Sequence, residues 1–317
     1  MRVCREVSRW ITENVEQPVE QWATQTERRC REQDCNWWCL CCNKWFCWLV
    51  TIVVRIVVWV VVTVTRLITE IVCAITEFVL DLAGFILNLI LSIPILGGII
   101  RTVLNWLTEI IWRLASLPDF LLSLVGVQIP KKMYLKAIIL NANGRPLTTE
   151  AAILPAIRAT QTIYQRECNV SVIYTGVCTP KLATPAEALT ISCDAGGFFA
   201  DWWIAGSYYE LVSADCAFED GYRRTIGYGA ELICFFIRQV DPTSTDGCSM
   251  GPTYNYVVQE ALSNMGVAHE VGHACGLWHI NDTTNLMNPT RAADITTMVL
   301  STFQRAWIRS SRHCVFL

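Results

Sequence analysis

Eleven residues constrain this chain more than any others: His269-Glu270-Val271-Gly272-His273-Ala274-Cys275-Gly276-Leu277-Trp278-His279. Side chains four apart share a helix face, so His269 and His273 can aim their rings at one ion. Glu270, one residue on, can act on a water held by that ion without being a ligand. Gly276 can adopt a backbone conformation closed to other residues, so the chain can leave the helix there and bring His279 back as a third nitrogen. Three protein nitrogens leave a fourth position for water, the arrangement of a catalytic zinc rather than a structural one. H-E-x-x-H by itself occurs by chance in unrelated helices. The longer pattern is far rarer, and three of the chain's four histidines fall inside it. The fourth, His313, reads as an ordinary surface residue.

A second motif follows the polar loop Asn281-Asp282-Thr283-Thr284. It is Asn285-Leu286-Met287-Asn288-Pro289. Taken alone, Met287 would be a plain core methionine. Taken with the histidines, the region resembles the metzincin superfamily of zinc endopeptidases, the matrixin-like and related branches in particular. The resemblance covers roughly residues 132–317. It implies an α+β catalytic domain with a twisted, mostly parallel sheet, an active-site helix beneath it, and a second helix after a methionine turn at Met287. It also implies Zn2+ on His269, His273 and His279, Glu270 as the catalytic general base, and a protein or peptide substrate. No cysteine motif of the matrixin propeptide type precedes residue 132, so latency through a thiolate on the metal lacks support, although the N-terminal cysteines leave it open.

The rest of the chain divides by composition. Its net charge of −3 gives no reason to expect nucleic acid as a partner. Hydrophobic residues make up 53% and charged residues only 17%, and the apolar excess lies in the first 130 residues. Three regions are expected: 1–47, a polar arm and a Cys/Trp-rich segment; 48–130, an all-α hydrophobic hairpin; and 131–317, the metalloprotease domain. The arm is too long and too acidic for the start of a secretory signal, so no conventional signal peptide is expected. Residues 35–48 interleave Cys35, Cys39, Cys41, Cys42 and Cys47 with Trp37, Trp38, Trp45 and Trp48. This pattern suits a membrane interface and a packed Cys/Trp patch equally well.

Residues 82–100 carry no charge. That is long enough to cross a bilayer, although Gly84, Pro94 and Gly97-Gly98 would bend it. Polar residues recur at helical spacing, among them Arg101, Asn105, Glu109 and Arg113, with Glu109 and Arg113 as an i,i+4 pair. Each helix would then have a narrow polar stripe and a wide apolar face. The stripe either faces other helices or water inside an assembly whose exterior meets lipid, or is the exposed edge of a hairpin buried in protein. The first use is favoured, which makes a membrane or a helical partner the expected contact of 48–130, with oligomers possible and a membrane-associated or secreted/delivered location. Val53–Val64 fits either helix or strand by periodicity.

Beyond Pro130-Lys131-Lys132, Met133–Leu140 reads as a strand ending in the turn Asn141-Ala142-Asn143-Gly144. Thr148-Thr149-Glu150 opens a helix to about Glu167, and Asn169–Val177 is a second strand. Residues 179–222 read as loops with one short helix near 198–211. Ala230–Val240 reads as a buried strand and Tyr254–Val258 as a further one. Asp294–Ser310 reads as a C-terminal helix burying Ile295, Met298, Val299, Thr302, Phe303 and Ala306. An extended substrate would pair with Tyr254–Val258 or the segment just upstream, and the wall near Pro289–Ala293 would set specificity. Eight cysteines here (Cys168, Cys178, Cys193, Cys216, Cys234, Cys248, Cys275 and Cys314) suggest disulfides. Cys275 reads as a buried or bonded thiol rather than a fourth ligand. Two functions fit: a zinc endopeptidase brought to or across a membrane, in the manner of a toxin or effector, and a membrane-inserting or pore-forming protein with a protease-like scaffold.

Overall fold

A computed structural model describes residues 9, 12–32, most of 51–66, 105–106 and 108–316, with breaks at 194, 217–226, 242–245, 250, 262–265 and 291–293. The Cys/Trp-rich segment and the uncharged 82–100 run lie outside the described residues. Among the described residues, no helix is long and apolar enough to cross a membrane.

A six-stranded, mostly parallel sheet forms the centre. Strand β1 (Lys131–Ile139) is continued by a small hairpin, β2 (Asn141–Ala142) and β3 (Arg145–Pro146). Parallel strands β4 (Val170–Cys178) and β6 (Leu232–Ile237) flank β1. A short parallel pair, β5 (Thr190–Ser192) and β7 (Gln239–Asp241), sits apart from the main sheet. The edge strand β8 (Gly247–Ser249) runs antiparallel to β9 (Tyr256–Glu260), which lies parallel to β6. The C-terminal β10 (Val315–Phe316) pairs with the first residues of β1.

Alternation along the strands explains the layers. Leu232, Cys234 and Phe236 of β6 point into one core, with Met133, Leu135 and Val257. Ile233, Phe235 and Ile237 point into the other, with Ile138, Tyr256 and Val258. Both faces are covered, which is why this strand reads as an unbroken apolar run. Before β1 lie the helices α1 (Gln17–Glu32) and α2 (Leu117–Leu124). On one face of the sheet lies α3 (Glu150–Cys168), capped by Thr149, whose side chain accepts from the Ala152 N–H. Its buried Ile153, Ala156, Ile157, Thr160, Ile163 and Tyr164 recur three and four apart. After the short α4 (Ala186–Leu189), α5 (Ala195–Cys216) covers the other face with Tyr208, Tyr209 and Val212. It is a 22-residue helix rather than the short one expected. The remaining helices are α6 (Val267–Ala274) and α7 (Thr302–Arg309).

The cysteines sort by face. Cys178–Cys216 and Cys193–Cys248 are disulfides on the α5 side. Cys168, Cys234, Cys275 and Cys314 are buried free thiols on the α3 side.

The N-terminal region packs onto this domain. Residues 51–56, 58–59 and 61–63 are helical, so the described part of Val53–Val64 is helix and not strand. Val54, Val58 and Val61 share a core with Val19 and Ala23 of α1, and with Trp112, Tyr228 and Phe316. Arg55 pairs with Glu27, and Arg66 with Glu16 at 2.6 Å. Residues 108–115 are helical, and Glu109 and Arg113 form their expected pair at 2.6 Å. That polar stripe faces the protein. The apolar residues Trp106, Ile110 and Leu114 face outward, with 56%, 41% and 64% of their surface exposed.

Two further expectations are corrected. Asp294–Ser310 is not one helix: a 3-10 turn (Ile295–Thr297) precedes an extended link to α7. Leu286 N–H donates to the Val299 carbonyl and Val299 N–H to the Thr284 carbonyl, so this backbone serves the methionine turn. Phe303 and Val299 are exposed, while Ile295 and Ala306 are buried. Nor is His313 a surface residue. It is fully buried, and its ring Nδ1 lies 2.7 Å from the Ala230 carbonyl, because β10 draws the chain end into the sheet. Burial pushes its pKa down to about 3 from the ordinary 6.5. The unfolded chain therefore takes up a proton near pH 6.5 that the folded chain refuses, and stability falls as pH drops through that window toward 3. The slope is at most about 1.4 kcal/mol per pH unit. Urea unfolding of wild type and His313→Gln at pH 7 and pH 4.5 checks this: the wild type should lose more stability on acidification. Equal losses would refute the assignment.

Candidate metal centre

Helix α6 carries His269, Glu270 and His273 and ends where the sequence places its exit. Cys275 caps it, and Gly276 has φ +83°, the left-handed conformation that a side chain would strain. Beyond that turn the chain returns His279. The three Nε2 atoms converge: His273 lies 3.0 Å from His269 and 3.0 Å from His279, and His269 lies 3.2 Å from His279.

Two corners of this triangle, His269 and His273, cannot hydrogen-bond to each other. His269 Nδ1 lies 2.7 Å from the Leu286 carbonyl and His273 Nδ1 2.8 Å from the Leu277 carbonyl. A carbonyl only accepts, so each of these rings carries its proton on Nδ1 and presents a bare lone pair at Nε2. Burial also holds both rings neutral, with His273 lowered to about 4. Converging lone pairs repel unless a cation lies between them. A point ~2.0–2.1 Å from each nitrogen, the usual zinc–nitrogen distance, lies only about 1 Å off their plane. The donor set therefore fits a zinc ion, and among the described residues it is the only such group of His, Cys, Asp or Glu.

Glu270 is buried, and Oε2 has no hydrogen-bond partner. Its side chain lies against Gly247 of β8, where an added Cβ would come within 2.7 Å of Glu270 Cγ. A glycine at this point of the edge strand gives the carboxylate its room. Burial raises the Glu270 pKa to about 8.

No protein-family model matches the chain, and no curated protein does. Among solved structures it is similar to metalloproteinase-II from Bacteroides fragilis, at TM-score 0.41 and 14% identity over 56% of this chain and 52% of that one. It is also similar to a chaperone–substrate complex, at TM-score 0.34 and 11% identity over 57% of this chain and 34% of that one. The chain thus spans about half of the first and a third of the second. Such distant likenesses carry no argument, and the chemistry rests on the site itself.

Met287 is fully buried under α6, and a Cβ on Gly272 would lie 2.5 Å from its sulfur. The helix can therefore rest on the methionine only where it has a glycine. The turn around Met287 is built by its own polar atoms. Asn285 Oδ1 accepts from the Met287 N–H at 2.9 Å, and the Met287 carbonyl accepts from Ile280 N–H at 3.0 Å. Asn285 also exchanges two hydrogen bonds with Gln304 of α7, at 2.8 and 3.1 Å. Gln304 closes a capping box with Ser301, so one residue starts α7 and anchors the turn. Of these partners only Ser301-x-x-Gln304 leaves a sequence signature. The Leu277 and Leu286 carbonyls leave none.

Tyr254–Val258 is not the edge expected for substrate. Its strand, β9, lies between β6 and β8. The free edge is the upstream alternative, β8, to which no further strand is paired among the described residues. Residues 291–293 of the supposed specificity wall lie outside the described residues.

Proposed function

We propose that this chain is a zinc-dependent endopeptidase of metzincin type, with His269, His273 and His279 as ligands and Glu270 as general base. The observation that carries the proposal is the convergence of three Nε2 atoms, two of them with bare lone pairs, on a turn whose helix also carries a buried carboxylate with an unpartnered oxygen. Zinc, when bound, lowers the pKa of a water and polarises a carbonyl. The protein's own groups do the rest. Glu270 Oε2 takes a proton from the attacking water and returns it to the leaving amine. The edge of β8 holds an extended peptide by backbone pairing, and Gly247 keeps that edge against Glu270 without a clash. The Leu286 and Leu277 carbonyls fix the tautomers of two ligands.

The membrane half of this reading is supported by the outward face of residues 106–124. Trp106, Ile110, Leu114, Leu117 and Leu121 recur three and four apart, with 41–64% of each residue exposed. A ridge of that kind suits a lipid surface. The second reading, a membrane-active protein with an inert protease-like half, rests on the same ridge.

One assay separates the outcomes. Full-length protein with one equivalent of zinc is expected to cleave casein or a peptide library, to stop on chelation, and to float with liposomes. Flotation without any cleavage would favour the second reading. Cleavage without flotation would remove the membrane assignment.

A further inference from the structure

We infer that Arg113, from the helical segment ahead of the sheet, is a positioning residue for the third metal ligand, His279. The inference rests on the metal centre proposed above and assigns it a part that lies outside residues 131–317.

The chain leaves α6 and reaches His279 through Cys275, Gly276, Leu277 and Trp278. Three consecutive carbonyls of this turn are each held by a donor from a different element. The Leu277 carbonyl is held by His273 Nδ1 of α6 at 2.8 Å. The Gly276 carbonyl accepts from the Trp307 indole N–H of α7 at 3.0 Å. The Cys275 carbonyl accepts from Arg113 Nη2 at 2.5 Å. At the far end Ile280 N–H donates to the Met287 carbonyl at 3.0 Å. Trp278 is 85% exposed, so its side chain contributes little packing to the turn. Gly276 N–H and Leu277 N–H also donate back to the His273 and Gly272 carbonyls, and Leu277 is buried; Arg113 supplies one of the three side-chain donors that hold the path to His279.

Arg113 is itself held firmly. Nη1 donates to the Trp307 carbonyl at 3.0 Å and to Ser310 Oγ at 2.9 Å. Nη2 pairs with Glu109 at 2.6 Å, and the guanidinium lies 4.1 Å from the Trp307 ring centroid. Glu109 is buried, and Arg312 lies 3.3 Å from its other oxygen. A planar fork reaching a carboxylate, two carbonyls and a hydroxyl at once is work a lysine cannot duplicate. An added Cβ on Gly276 would come within 2.9 Å of Nη2 and 3.1 Å of the Trp307 indole nitrogen, so turn and clamp fit closely.

The test compares full-length wild type with Arg113→Ala, Arg113→Lys, Trp307→Phe and His279→Ala. The readouts are zinc affinity by chelator competition, the visible spectrum of the cobalt-substituted protein, and thermal unfolding of the metal-free protein. Arg113→Ala should weaken zinc binding by about 10–100-fold, the usual effect of losing an outer partner of a metal site. Its cobalt spectrum should also shift. Arg113→Lys, which reaches one carbonyl, should recover part of the affinity. Trp307→Phe keeps the ring and loses the indole donor to the turn, so it should weaken zinc binding even if Arg113→Ala fails to fold. If wild type binds zinc, His279→Ala loses it, and Arg113→Ala (or, where that variant does not fold, Arg113→Lys) keeps both wild-type affinity and the cobalt spectrum, the positioning role of Arg113 is overturned while the metal centre stands. If wild type binds no zinc, the metal centre itself falls.

Discussion

Replacing Glu270 by glutamine is expected to lower peptide cleavage by about 10²–10⁴-fold, the usual contribution of a positioned general base. Zinc affinity should stay within a few-fold of wild type, because the proposed ligands are three imidazoles and the glutamine amide has nearly the same shape. The same change should stabilise the metal-free protein. In the folded chain burial lifts this carboxyl to about 8 from an ordinary 4.5. Between those values the folded chain keeps a proton that the unfolded chain releases, so stability falls as pH rises through the window, by at most about 1.4 kcal/mol per unit. A neutral amide escapes that loss. Metal-free Glu270→Gln should thus match wild type near pH 4.5 and exceed it increasingly toward pH 8. Urea unfolding at both pH values, beside turnover with zinc, reads the two effects. Turnover at the wild-type rate would remove Glu270 from the chemistry. An unchanged stability difference would mean that the carboxylate is not desolvated.

The sequence made some of this legible because the relevant forces are local. The spacing of His269, His273 and Gly276 already encodes a helix face and a left-handed exit. Thr149 encodes a helix start, and the unbroken apolar run through Phe235 and Phe236 encodes a strand covered on both faces. What stayed hidden depends on partners distant in sequence. Strand β8 is three residues, Gly247–Ser249, with no apolar period to betray it. Helix α5 lacked a legible period because polarity does not follow burial along it: Ser213 is buried beside Tyr209 and Val212 while Leu211 is exposed. Residues 298–301 read as helix by composition, yet hydrogen bonds from the methionine turn hold them extended. His313 read as surface because nothing nearby announces that β10 will pair with β1. The polar stripe of Glu109 and Arg113 was read correctly as helical, but only tertiary contacts reveal that it faces inward onto the turn before His279.

Asp119→Ala is expected to destabilise the chain by about 3–5 kcal/mol, the cost of leaving buried charges without their partner. Asp119 of α2 is 1% exposed and sits between two cations that are fully buried, Lys131 of β1 and Arg309 of α7. Its carboxylate lies 2.5 Å from Arg309 and 3.0 Å from Lys131. The cations are also bound to backbone: Lys131 Nζ donates to the Arg309 carbonyl at 2.7 Å, and Arg309 donates to the Cys168 and Ile129 carbonyls at 2.8 and 2.7 Å. Removing the carboxylate strands two positive charges in a volume closed to water, and burial already pushes the Lys131 ammonium below its usual pKa. Lys131→Met in the Asp119→Ala background should recover part of the loss, because it removes one of the stranded charges. Denaturant unfolding of the two single variants and the double variant reads the coupling. A loss under about 1 kcal/mol for Asp119→Ala, or no recovery in the double variant, would show that water reaches these cations after all. The same geometry makes a polypeptide starting at residue 131 a poor substitute for the whole chain. Such a piece would leave Lys131 and Arg309 without Asp119, and Arg312 without Glu109. The sheet beside the candidate metal centre is thus stabilised by the segment that precedes it, and unfolding that segment should remove the Arg113 hydrogen bond to the turn before His279.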